Sequence, residues 1–145
     1  MVEQRTSKKR YFVILVEEER LLANSLIRRI QSSFEERGET VYVLHAENQT
    51  SLTSFFLVRD IPEIDVVVMT ASVPFSQEDP PVARSVMNTG MLVIVVRDLC
   101  DATIVGASFN PHHRQALLDA GCHEVLSDKG DIPERLVKLL LPTLV

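Results

Sequence analysis

Residues 11–38 read YFVILVEEERLLANSLIRRIQSSFEERG and contain the two patterns that decide the fold. The run from Tyr11 to Val16 is apolar without interruption and rich in β-branched side chains, which is typical of a strand covered on both faces. The spacing then becomes helical, with an apolar side chain at every fourth position and a glycine stop: Leu22, Leu26, Ile30, Phe34 and Gly38. This stretch predicts a buried strand followed by an amphipathic helix.

The same alternation continues along the chain. Further strands are predicted at Ile64 to Met69, Met91 to Val96, Val41 to Leu44 and Glu124 to Ser127. Further helices are predicted at Ser51 to Arg59, at Val82 to Asn88 before Gly90, from the Asn110 cap to Gly121, and from Asp131 onwards. Strands that alternate with helices predict an α/β fold, a doubly wound five-stranded parallel sheet with helices on both faces.

Length and composition set the limits of the molecule. The 145 residues carry 46% hydrophobic side chains and a net charge of -5, which indicates one folded domain over residues 11–145 behind a flexible basic leader, residues 1–10. The acidic balance argues against direct nucleic-acid binding. The polar start and the short apolar runs predict no membrane contact and a cytoplasmic location, where Cys100 and Cys122 are reduced thiols.

Three segments resemble parts of a two-component response-regulator receiver domain, of the flavodoxin-like or CheY-like fold. VILVEEE, residues 13–19, looks like the first strand and its acidic pair. DVVVMTASVP, residues 65–74, is similar to the third strand with its following proline, and ALLDAGCHEVLSDK, residues 116–129, resembles the stretch that leads to the family's lysine. The resemblance covers residues 11–141.

The resemblance implies a phosphorylation pocket, and this chain departs from it at several places. Glu17 and Glu18 occupy the acidic pair, while Thr70 stands where the family has its phosphorylated aspartate. Asp128 takes the place of the lysine without a gap, and a slip of one residue lets Lys129 serve instead. The hydroxyl after the fourth strand is expected at Val96, or at Arg97 with a slip, and is missing; the stretch from Arg97 to Phe109 looks like an insertion.

These substitutions bear on the chemistry that the resemblance implies. In the family, the acidic pair and the aspartate hold Mg²⁺, the lysine pairs with the new phosphate, and the hydroxyl follows the phosphate inward. Thr70 is a neutral alcohol that cannot form an acyl phosphate. We therefore predict a degenerate pseudo-receiver that is not an enzyme and has no cofactor and no metal site.

Two functional hypotheses follow. The first is a phosphorylation-independent signalling module that binds a protein partner, or a second copy of itself, through its fourth helix, fifth strand and fifth helix. The alternative is a ligand-responsive or metal-responsive α/β domain, in one version an enzyme, that uses the acidic edge at Glu17 and Glu18 together with Asp65, Asp98 or Asp128.

Overall fold

The computed structural model describes residues 10–57, 63–70 and 86–141. The strands are β1 (Tyr11–Val16), β2 (Val41–Ala46), β3 (Val66–Thr70), β4 (Thr103–Ala107) and β5 (Glu124–Leu126). The helices are α1 (Arg20–Glu35), α2 (Gln49–Leu57), α3 (Val86–Leu99), α4 (Pro111–Ala120) and α5 (Ile132–Leu140), and a short 3₁₀ helix, Lys129–Asp131, precedes α5. The leader, apart from Arg10, and Pro74 lie outside the described residues.

The five strands form one parallel sheet in the order β2-β1-β3-β4-β5. In its register Val16 lies beside Ala46 and Met69, and Thr70 lies beside Ala107, so the carboxyl ends of the strands meet at one edge. The predicted fold class is confirmed. The strand order reverses between β1 and β3, and clefts outside the carboxyl ends of such strands are the usual ligand sites in open α/β sheets.

Alternate residues of the central strands enter two different cores. Val13, Leu15, Val66 and Val68 face α1 and α5, whereas Ile14, Val16, Val67 and Met69 face the other three helices. All eight side chains are fully buried. The central strands have no polar alternation because both of their faces are covered.

The third β-α unit differs from the prediction. Residues 91–96, predicted as the fourth strand, belong to α3, and β4 lies in the stretch from Arg97 to Phe109 that was predicted as an insertion. Gly90, predicted as the end of the third helix, is inside α3. A short apolar run rich in β-branched residues fits a buried strand and a buried helix equally well, so periodicity could not separate the two.

The fourth helix begins and ends as its sequence predicts. The side chain of Asn110 accepts hydrogen bonds from the backbone N–H groups of His112 and His113, and Pro111 occupies the first turn. Gly121 follows the helix with a φ of 121°, in the left-handed region that favours glycine. These two signals fix α4 between β4 and β5.

The two cysteines are free thiols in unlike surroundings. Cys122 is buried, and burial raises the pKa of its thiol to about 11, whereas Cys100 is half-buried. Because the thiolate is the nucleophile, this rise lowers the reactive fraction of Cys122 at pH 8 by about a hundredfold. We expect iodoacetamide to modify Cys100 of the folded protein well before Cys122, as measured by peptide mass spectrometry.

The Cys100→Ser variant is the control for this labelling experiment. It should take up almost no iodoacetamide when folded and one equivalent when unfolded in denaturant. Labelling of Cys122 at the rate of Cys100 would show that the core around Cys122 opens easily.

Candidate functional site

The ends of β1 and β3, the start of α1 and the loop before α5 surround a cleft at the carboxyl edge of the sheet. Its volume is about 510 Å³. The described residues that line it are Glu17, Glu18, Glu19, Arg20, Thr70 and Lys129. Four of the residues predicted from the sequence, namely Glu17, Glu18, Thr70 and Lys129, are thus brought together.

Glu17 is the most constrained of these residues. It follows β1 directly, its backbone N–H donates to Ala46, and its side chain is only 4% exposed. One carboxylate oxygen, Oε1, accepts from Lys129 Nζ at 2.9 Å, and the other, Oε2, accepts from the backbone N–H of Glu19 at 3.0 Å. His45 Nε2 donates to the backbone oxygen of Glu17 at 2.8 Å. Both carboxylate oxygens therefore already have donors within the chain.

The loop that carries Lys129 is itself held in place. Asp128 caps the short 3₁₀ helix, because its Oδ1 accepts from the backbone N–H of Gly130 at 2.8 Å. Arg29, on α1, donates to the backbone oxygen of Gly130 at 2.9 Å. These contacts place Lys129, whose side chain is 29% exposed, over the buried carboxylate of Glu17. Asp128 is exposed and does not line the cleft, so the structure places Lys129, and not Asp128, beside Glu17.

Thr70 ends β3 beside Ala107 and is only 3% exposed. It is the residue at which the resemblance implies the phosphorylated aspartate, and the structure places it in the same cleft as Glu17 and Lys129. A neutral side chain at this position leaves the cleft without a carboxylate from β3.

Val96 does not lie at a strand end. It is in α3, 1% exposed, packed in the core between the sheet and the helices, so the prediction that Val96 or Arg97 marks the hydroxyl position is wrong. The fourth strand ends at Ala107, and Ser108 follows it. Ser108 is 7% exposed, and its Oγ accepts from the backbone N–H of Asn110 at 3.1 Å.

Ser108 was not predicted as the hydroxyl after the fourth strand, because β4 itself was not predicted as a strand. The signal that could have found it is the short β-branched run Thr103, Ile104 and Val105, which stands directly ahead of the Asn110-Pro111 helix start. Ser108 is not among the described residues that line the cleft. A hydroxyl therefore follows β4, but it serves the turn into α4.

The rim of the cleft carries an exposed ion pair. Arg20 Nε donates to Glu47, which lies after β2, and this hydrogen bond, with the attraction of the carboxylate, raises the pKa of the Arg20 guanidinium. The pair joins the start of α1 to the loop after β2. As an exposed pair it contributes little to stability.

The donor set does not fit the Mg²⁺ that the fold family implies. Mg²⁺ takes oxygen ligands in octahedral geometry. Here an ammonium group and a backbone N–H occupy the Glu17 carboxylate, and Thr70 supplies no charge. In the part of the chain that the structure describes, no three His, Cys, Asp or Glu side chains are grouped so that they could hold a metal ion.

The acidic residues of the alternative hypothesis lie away from this cleft. Asp65 precedes β3 at the opposite edge of the sheet, where its Oδ2 accepts from the backbone N–H of Phe12 at 2.9 Å. Asp98 is exposed in the last turn of α3. The acidic edge at Glu17 and Glu18 is therefore not extended by Asp65, Asp98 or Asp128.

Comparison with known proteins gives the fold. No model of a known protein family matches the sequence, and no curated protein matches it. Among solved structures, the phosphorylated cyanobacterial phytochrome response regulator RcpA superposes with a TM-score of 0.66 at 12% identity, over 94% of this chain and 98% of that chain. The chain has the receiver fold.

Two further receiver structures agree. A CheY-like receiver domain protein of Methanospirillum hungatei has a TM-score of 0.60 at 12% identity, covering 91% of this chain and 94% of that chain. RcsB of Salmonella enterica serovar Typhimurium, bound to a promoter in the presence of phosphomimetic BeF₃⁻, has a TM-score of 0.62 at 18% identity, covering 90% of this chain and 68% of that chain. Within residues 10–57, 63–70 and 86–141, the receiver fold contains no helix long and apolar enough to cross a membrane.

Proposed function

We propose that this protein is a signalling module with the receiver fold that acts through protein contacts, without phosphorylation and without enzymatic activity. The observation that carries the proposal is the ion pair between Lys129 and the buried Glu17 in a cleft where the third strand ends in Thr70. The resemblance to receivers implies that the lysine meets a phosphate bound to an aspartate. In this chain Lys129 has a carboxylate partner of its own.

The ion pair between Lys129 and Glu17 supports this proposal, because the charge of Lys129 is already balanced without a phosphoryl group. A phosphate on a neighbouring residue would have to draw Lys129 away from Glu17, and the carboxylate would then be buried without its partner. The chain also offers no carboxylate on β3 to form an acyl phosphate. The cleft therefore works as a fixed structural element, and the signal is carried by the surface of the domain.

The surface predicted from the sequence, formed by α4, β5 and α5, is one candidate for contact with a protein partner. Its charged side chains include Arg114, Asp119, Glu124, Asp128, Lys129, Glu134, Arg135 and Lys138. Charges of both signs suit a partner with a complementary pattern. We propose a cytoplasmic protein as that partner, and neither nucleic acid nor a membrane.

Phosphorylation is tested directly with a small phosphodonor. The protein is incubated with acetyl phosphate and Mg²⁺, and its intact mass is measured, with the RcpA protein as the positive control. We expect RcpA to gain the mass of one phosphoryl group and this protein to gain none, because its strand-end residue is Thr70. Beryllofluoride with Mg²⁺ should likewise leave its thermal unfolding temperature unchanged.

A stoichiometric phosphoryl adduct on this protein would overturn the proposal. Mapping the adduct by peptide mass spectrometry would then identify the acceptor, and an adduct at Glu17 or Glu18 would favour the alternative in which the acidic edge is chemically active.

A further inference from the structure

Helix α3 carries apolar side chains on nearly all of its sides. Residues 90–99 read GMLVIVVRDL. The side chains that face the sheet are Leu92, Val93 and Val96, all buried. The side chains that face outwards include Ile94, Val95 and Leu99, exposed by 48%, 41% and 49%. A helix that is apolar all round is normally covered on all sides, so this outer side of α3 is the kind of surface that a partner covers.

The outer side has a defined arrangement, because residues four apart lie next to each other on a helix. Ile94 and Asp98 form its central row, and Val95 and Leu99 form the row on one side. Arg97 lies on the other side, towards α4, since a Cβ atom on Gly121 would be 2.6 Å from Arg97 Nη1. Asp98 and Arg97 are both exposed. The apolar strip, formed by Ile94, Val95 and Leu99, thus has the acidic Asp98 in line with Ile94, and the basic Arg97 lies at the edge of the same face.

We propose that the partner covering this face is a second copy of the chain, in a two-fold symmetric contact between the two α3 helices. A two-fold axis places the same patch on both molecules, so a patch must be complementary to itself. Here the apolar strips pack together, and each Arg97 pairs with Asp98 of the other copy. The inference rests on the proposed function in that it names the protein partner.

The face formed by α4, β5 and α5 is a weaker candidate for the contact between copies, because many of its charges have partners within the chain. Arg135 donates to both carboxylate oxygens of Glu124, at 2.6 and 2.9 Å. Arg114 donates to the backbone oxygens of Ser108 and Phe109, at 2.9 Å each. Reciprocal ion pairs between copies would compete with these internal contacts. That face remains available to a different protein.

The proposal is tested by the mass of the protein in solution. Light scattering and sedimentation at micromolar concentrations should show wild-type dimers that dissociate on dilution. Ile94→Asp removes an apolar side chain from the contact and adds a second carboxylate to the row that holds Asp98, so it should weaken the dimer by at least about tenfold. The matched control is Leu21→Asp, because Leu21 is 81% exposed on α1, on the opposite face of the sheet, and this variant should dimerise like the wild type.

Charge exchange tests the orientation of the contact. Asp98→Arg and Arg97→Asp each place like charges against each other in a homodimer, so each variant alone should be more monomeric than the wild type. A mixture of the two should form heterodimers, and the double variant should recover the wild-type dimer. Circular dichroism and thermal unfolding verify that each variant is folded. If Arg97→Asp is not, Asp98→Asn, which removes the charge without opposing two basic side chains, should weaken the dimer less than Asp98→Arg.

Monomeric wild type at all concentrations, or an Ile94→Asp variant that dimerises fully, would overturn the inference. A failure of this kind is distinct from failure of the proposed function, which depends on the phosphodonor experiment. A phosphoryl adduct would overturn the proposed function and leave the α3 contact to be judged on the masses alone.

Discussion

Lys129→Met is expected to lower the free energy of unfolding by about 3 kcal/mol, because it leaves the Glu17 carboxylate buried without its ammonium partner. The methionine keeps the length and packing of the lysine stem and removes only the charge. Urea unfolding, followed by circular dichroism, measures the difference.

The double variant Glu17→Gln with Lys129→Met is the control for this effect. With both charges removed, most of the lost stability should return, since a neutral amide can still accept from the backbone N–H of Glu19. A single variant as stable as the wild type would show that the Glu17 carboxylate needs no ammonium partner. The ion pair would then not be the element that fixes the cleft.

The Thr70→Asp variant is expected to lose about 2 kcal/mol of stability in the absence of divalent cations. Thr70 is 3% exposed and lines the same cleft as Glu17, Glu18 and Glu19, so the new carboxylate adds a fourth negative charge. Among the described residues of the cleft, only Lys129 and Arg20 oppose these charges. Added Mg²⁺ should restore part of the stability, because several carboxylates grouped around one cleft form the kind of site that this ion binds. Thermal unfolding with and without Mg²⁺ measures both changes.

Thr70→Asn is the matched control, since it has the shape of the aspartate without its charge. It should be more stable than Thr70→Asp in the absence of Mg²⁺ and should not respond to the ion. Equal stability of the two variants would show that Lys129 neutralises a charge at this position. In that case the cleft tolerates an acceptor, and the exclusion of phosphorylation rests on the missing aspartate alone.

The sequence predicted the parts of the fold in which local signals agree with burial. β1 has the predicted bounds, and α1 extends the predicted helix by only a few residues because its apolar side chains recur every fourth position. The start of α4 was predictable from Asn110 and Pro111, whose effect is local. The fold class was predictable because strands and helices alternate along the chain.

Local signals did not distinguish the third helix from the fourth strand: residues 91–96 were predicted as the strand and belong to α3. Leu92, Val93 and Val96 are apolar because this side of α3 packs against the sheet, whereas Ile94 and Val95 are apolar and exposed, so the run has no helical alternation. β4 is short and contains Gly106. A Cβ atom on Gly106 would lie 3.0 Å from Leu117 Cδ1, so close packing against α4 requires a residue that weakens the strand pattern. Tertiary packing outweighed strand propensity at both places.

The candidate site was predictable in part. Glu17 and Glu18 follow β1 and Thr70 ends β3, so all three could be placed at the carboxyl edge of the sheet from the strand pattern alone. Whether Asp128 or Lys129 enters the cleft depends on the backbone conformation of the loop between β5 and α5. The Asp128 cap and the hydrogen bond from Arg29 to the backbone oxygen of Gly130 fix that conformation. No local pattern in the sequence reports a contact between α1 and the loop before α5.

The ion pair between Glu17 and Lys129 joins residues 112 positions apart, and this separation matters while the chain is being made. Translation delivers residues from the amino end, and a domain folds as a unit. Glu17 leaves the ribosome long before Lys129, so its carboxylate has no ammonium partner until β5 and the loop after it have also emerged. A nascent chain stalled ahead of residue 129 should therefore be cut by protease at sites that the finished domain protects.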